Sequence, residues 1–171
     1  MSTNSEQVPT VEEIDIFEFA ERGEEVPHAK VYHVRIDGEN FRIDTAQPTG
    51  EMLLGKVGKL PCAFELIAEF AHHETRVVEP TEVVDLRQPG LKGFITKQKQ
   101  IVQIFINGPA YSIERGSRTV AEILSKVGQT PEGYILLEEK DGPPLPLPSN
   151  VPVNIEGCEV FHTQTQSGGS S

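Results

Sequence analysis

The sequence lacks most of what would mark an enzyme, a membrane protein or a nucleic-acid binder. In 171 residues no apolar run approaches the ~20 needed to span a bilayer. The leading stretch MSTNSEQVPTVEE is polar and acidic, neither a signal peptide nor a basic transit peptide, so a cytoplasmic location is expected. Only two cysteines occur, Cys62 and Cys158, far apart and in no CxxC arrangement; they read as inert packing thiols. There is no HExxH, no nucleophile elbow and no glycosidase-like carboxylate pair, so no catalytic residue, metal or cofactor is expected, and the chain does not read as an enzyme. A basic stripe is also missing. The formal net charge is −11, which argues against nucleic acid, whose affinity comes mainly from neutralised phosphates.

The negative charge is uneven. Residues 1–28 hold eight acids against one base, a net −7. Within this leader, VEEIDIFEFAERGEE (11–25) interleaves acids with large apolar residues. Its period is undecided: Val11, Ile14 and Phe17 fit helical spacing, whereas Ile14–Ile16 and Phe17–Phe19 fit strand alternation. The composition reads as an acidic segment that is flexible alone and orders against a partner or against the first module. Ile14, Phe17 and Phe19 are its candidate contact residues, and a basic groove on a partner is the surface they would suit.

Two copies of one pattern fill most of the remainder. VRIDGENFRID matches IFINGPAYSIE, with Asp37-Gly38 against Asn107-Gly108 and Ile43 against Ile113. TGEMLLGKVGKLPCAFELI matches TVAEILSKVGQTPEGYILL, with Thr49, Leu54, Gly58 and Pro61 against Thr119, Leu124, Gly128 and Pro131. The offset is 70 at every pair. The repeat divides the chain into a leader (1–28), a first module (29–97), a short joint QKQ (98–100), a second module (101–165) and a tail (166–171).

Each module reads alike. An alternating strand (KVYHVRI, IVQIFI) meets an Asp-Gly or Asn-Gly turn, the strongest short hairpin signal, and a second strand returns. A helix of about ten residues follows. In the second module Thr119 can cap it, with Glu122 completing a capping box. Gly58 and Gly128 suit a left-handed C-cap, and Pro61 and Pro131 block continuation. A third strand (FELIAEF, GYILLEE) and a closing strand (GFITK, EVFHTQ) complete each module. The predicted fold is α+β: a mixed sheet packed on one helix, with first and last strands parallel neighbours.

This β-β-α-β-β order in about 70 residues, closed by a strand and then Gly-Gly, resembles the β-grasp fold of ubiquitin-like proteins. Two fused copies resemble the bacterial multiubiquitin family, through VYHVRIDGENFRIDTAQPTGEMLL, EVVDLRQPGLKGFIT and the second copy of the first stretch. The resemblance implies tandem ubiquitin-like β-grasp domains acting as a protein modifier. It implies partners as well: a ubiquitin-activating-like enzyme, a conjugating-enzyme-like protein, a JAB-type metallopeptidase and target proteins. Gly168 and Gly169 then become a conjugation handle, cleaved between Gly169 and Ser170, because glycine can lie extended where a Cβ would collide. The first module ends FITKQKQ without Gly-Gly, so the pair would travel as one modifier. Ser167 stands where ubiquitin has an arginine. A non-conjugated β-grasp scaffold and a sulfur carrier are the alternative uses of such modules.

Three other motifs carry bland readings. GEMLLGKV (50–57) nearly spells a phosphate loop, but Val57 replaces the hydroxyl residue, and its repeat VAEILSKV lacks both glycines. HHE (72–74) reads as a solvated turn rather than a metal site. DGPPLPLPSN (141–150) reads as the crossing between third and last strands.

Overall fold

The computed structural model of the chain describes residues 10–166. The chain divides into two compact units, Met1–Lys97 and Gln98–Ser171. Mixed sheets and few, short helices make the fold α+β, an arrangement that fits a β-grasp.

In the first unit the elements are β1 (Val11–Asp15), α1 (Ile16–Ala20), β2 (Ala29–Ile36), β3 (Glu39–Ile43), α2 (Gly50–Lys56), β4 (Phe64–Phe70), a 3-10 turn (Ala71–His73), β5 (Thr75–Val78) and β6 (Leu91–Gln98). The sheet runs β1-β2-β6-β4-β5, with β3 paired to β2. Strand β2 alternates as the sequence demands: Tyr32, Val34 and Ile36 are buried and the residues between them are not. The β2–β3 hairpin closes at Asp37 (φ 53°) and Gly38 (φ 81°), two successive left-handed residues, as a primed hairpin turn requires. As expected, the last strand lies parallel to the first, with Ile36 opposite Phe94.

The second unit contains β7 (Ile101–Ile106), β8 (Ala110–Glu114), β9 (Gly116–Arg118), α3 (Val120–Ser125), β10 (Tyr134–Glu139), β11 (Leu145–Pro146), β12 (Val153–Ile155) and β13 (Val160–Thr165). Its main sheet runs β11-β10-β13-β7-β8, and β9 pairs with β12 in a small separate sheet. Here too first and last strands are parallel, through Phe105 opposite Val160 and Ile106 opposite Phe161. The proline-rich crossing contributes β11, which pairs with β10.

Both helices are shorter than the ten residues expected. The hydroxyl of Thr49 caps α2 by accepting from the Met52 amide, and Thr119 with Glu122 forms the full capping box on α3. At the other end Val57 and Lys126 already make i→i−3 bonds, and Gly58 (φ 68°) and Gly128 (φ 72°) reverse the chain. The left-handed cap cuts each helix off at two turns. Leu53 and Leu54 of α2, and Ile123 and Leu124 of α3, are fully buried in the two separate cores. Neither Cys62 nor Cys158 is a free thiol, which corrects the packing-thiol reading of both.

The largest departure lies in the leader. Its residues 10–28 do not stand apart from the fold. Strand β1 pairs parallel with β2, from Val11 opposite Ala29 to Asp15 opposite His33. The Asp15 carboxylate then caps α1 by accepting from the Phe17 amide at 3.0 Å. Ile16, at 0 % exposure, and Val26 belong to the first core. The segment orders against the first module itself.

Candidate functional site

Two places merit a functional reading: the end of β13, from which the Gly-Gly tail departs, and the seat of the leader on β2.

Strand β13 lies between β10 and β7; β7 pairs with its start at Val160 and Phe161, and β10 holds it to its end. Six residue pairs tie it to β10, the last being Tyr134 opposite Thr165. One residue further, the Gln166 amide donates to the Gly133 carbonyl at 2.9 Å, and its side-chain Nε2 donates to the Pro131 carbonyl at 2.8 Å. Gln166 is therefore anchored twice to the turn between α3 and β10. Gly168, Gly169 and the bond to Ser170 follow directly in sequence and lie outside the described residues.

The leader's seat is built from charge. Lys30 Nζ reaches the Glu12 carboxylate at 2.6 Å. Glu13 is held by two side chains, the His33 ring at 2.8 Å and the Arg42 guanidinium at 2.6 Å. The hydrogen bond to His33 is the main cause that holds the Glu13 carboxyl below its ordinary value. Arg35 faces Asp15 at 3.9 Å and stacks on the Phe17 ring at 3.7 Å, with the Lys92 ammonium 5.8 Å from the same ring. Of the three contact residues read from sequence, Ile14 and Phe19 pack partly buried against the first core, and Phe17 lies against Arg35. Arg22 covers Phe19 at 4.8 Å. The basic surface facing the leader is the first unit's own.

The second unit does not reproduce this seat. At the repeat offset of 70, Lys30, His33, Arg35 and Arg42 become Gln100, Gln103, Phe105 and Ser112. All four of these side chains are replaced by uncharged residues. Sequence reasoning missed this, although the substitutions stand in plain view once the repeats are aligned.

Residues 32–99 match the family model described as Multiubiquitin. The first unit therefore carries a stretch similar to the multiubiquitin family. No curated protein matches the chain. The matched stretch begins inside β2 and ends in the joint, so the leader lies outside it.

The remaining motifs do not converge on a reactive centre. Among the described residues no group of three or more His, Cys, Asp or Glu could hold a metal ion. His72 and His73 are exposed in a turn with left-handed backbone (φ 70° and 65°). The phosphate-loop-like stretch is helix α2, and Gly50 serves packing there: a Cβ on it would sit 2.4 Å from the Glu79 carbonyl oxygen. No helix among the described residues is long and apolar enough to cross a membrane.

Proposed function

We propose that this chain is a ubiquitin-like protein modifier of the multiubiquitin family, with two tandem ubiquitin-like β-grasp domains, residues 29–97 and 101–165. The observation that carries the reading is the family match over the first unit, together with a last strand in the second that delivers the chain directly to Gly-Gly. A JAB-type peptidase would add water across the Gly169–Ser170 bond, leaving the Gly169 carboxylate and freeing the Ser170 amine. An activating-like enzyme would join that carboxylate to the α-phosphate of ATP, releasing pyrophosphate. An enzyme thiolate would displace AMP to form a thioester, and a target amine would displace the thiol. All of this chemistry resides in the partners; the chain supplies a held strand and two glycines without Cβ atoms on the acyl side of the scissile bond.

Intact-mass measurement of the full chain, with and without the peptidase and activating-like enzyme, tests the reading. The expected product ends at Gly169 and forms heavier adducts that a Gly169→Glu variant does not form. An unchanged mass in the presence of all partners would overturn it and leave the non-conjugated scaffold. A terminal thiocarboxylate would identify a sulfur carrier.

A further inference from the structure

The end of β13 sets a limit on whatever acts at Gly169. Gln166 is fixed to the turn at 130–133 by two hydrogen bonds, one from its backbone and one from its side chain. Only Ser167 and Gly168 separate it from Gly169. Three residues of fully extended chain reach no more than about 10–11 Å. An enzyme that takes the Gly169 carboxyl into its active centre must therefore bring that centre within about 10–11 Å of the Gln166 Cα.

Resting on the modifier reading, we propose that the α3–β10 turn at 130–133 is part of the docking surface for the partner that acts on Gly169, and that Gln166 is the positioning residue that aims the tail from it. The turn is suited to contact. Thr130 and Glu132 are exposed, and in sequence they alternate with Pro131 and Gly133, whose carbonyls hold Gln166. The backbone beneath is rigid, because the amides of Gly133 and Tyr134 both donate to the Thr130 carbonyl, at 3.2 and 3.1 Å. Glu132 gives the turn that holds Gln166 a negative charge, so the fitting partner is a peptidase with a short tail channel and a cation at its rim. In the first unit the closing strand β6 leads into the joint and not into a tail, so the equivalent turn, around Pro61, has no part in this footprint.

The test uses the full chain and follows cleavage at Gly169 by the JAB-type peptidase. Glu132→Lys and, separately, Thr130→Lys should raise KM about tenfold with kcat and Tm unchanged, the effect of losing one central interface contact. A Gly-Ser insertion after Gln166 lengthens the reach to about 17 Å and should remove the dependence on both substitutions. Gln166→Ala should lower kcat/KM without changing Tm. Leu60→Lys on the first unit should change nothing. Efficient cleavage of wild type with KM unaffected by either turn substitution would overturn the footprint while leaving the modifier reading intact. Absence of any cleavage of wild type would overturn both.

Discussion

The carboxylate of Asp37 accepts two hydrogen bonds from one residue, the Thr96 amide at 2.7 Å and the Thr96 hydroxyl at 2.6 Å. Asp37 sits in the first hairpin turn and Thr96 on the closing strand, 59 residues later. Lys59 completes the cluster, with its ammonium 3.2 Å from Asp37 and 2.6 Å from Thr96. The second unit repeats the tie with neutral groups: the Thr163 amide donates to the Asn107 side-chain oxygen at 3.0 Å, and Asn107 Nδ2 donates to the Thr163 hydroxyl at 2.9 Å.

The charge on Asp37 gives the first unit an acid sensitivity. Partial burial pushes this carboxyl up, and the hydrogen bonds from Thr96 and Lys59 more than offset it, so the value lies below the ordinary 3.8. A depressed carboxyl contributes stability that is complete above 3.8 and is lost as pH falls through the lower folded value. Asp37→Asn copies the second unit, keeps the Thr96 amide bond and should flatten that acid loss. Thr96→Val removes a hydroxyl bond and should cost about 0.5–1.5 kcal/mol. Thermal unfolding between pH 2 and 7 reads both; an unchanged acid limb in Asp37→Asn would contradict the assignment.

Ile16 anchors the leader in the first core. Ile16→Ala should destabilise the first unit by about 2–5 kcal/mol, the cost of a buried large-to-small change. Phe17→Ala loses a half-buried ring and its stack with Arg35 and should cost about 1–2 kcal/mol. Neither should shift the unfolding of the second unit. Denaturant titration with hydrogen exchange resolves the two, and a null effect of Ile16→Ala would mean that the leader does not pack as described.

Glu13 makes the leader's attachment sensitive to acid and salt. Its lowered carboxyl contributes above the ordinary 4.5 and loses that contribution as pH falls through the folded value. The group is exposed, so salt screens it. Glu13→Gln should speed amide exchange across Val11–Asp15 at neutral pH, and added salt should narrow the gap from wild type. Equal exchange in both proteins at low salt would refute the clasp.

Two glycines of α2 should behave in opposite ways. Gly50→Ala drives a Cβ to within 2.4 Å of the Glu79 carbonyl and should cost about 1–3 kcal/mol through overpacking. Gly55→Ala meets nothing within 4 Å and should stabilise by about 0.5–1 kcal/mol through the unfolded chain and helix propensity. Thermal shifts of the same sign for both would argue against the packing at Gly50.

Much of the fold was legible because its signals are local. Asp37-Gly38 and Asn107-Gly108 announce hairpins, Thr119 and Glu122 announce a helix start, and Gly58 and Gly128 its end. The offset of 70 then carried each reading into the other copy. The leader was less legible for physical reasons. Strand β1 is mostly exposed, so VEEID shows no buried face, and its parallel partner lies across α1 and a loop with no hairpin turn to mark the pairing. Its attachment rests on backbone bonds and on charges whose partners are 18 to 29 residues away. The three-residue strands β9 and β12 are too short to show a period at all. Gly168 and Gly169 were conspicuous in the sequence, whereas the double anchor of Gln166 beside them depends on a turn 35 residues distant.

The four replaced basic residues bear on how the chain assembles. Tandem repeats of like sequence are prone to exchange equivalent strands while folding, because a segment that pairs with one copy finds nearly the same edge on the other. Strand β1 can tell the copies apart. On β2 it meets Lys30, His33, Arg35 and Arg42; on β7 the same acids would face Gln100, Gln103, Phe105 and Ser112, none of them basic. The leader thus gives a duplicated protein a polarity, so that the two copies are no longer interchangeable and the Gly-Gly end always belongs to the unit without the clasp.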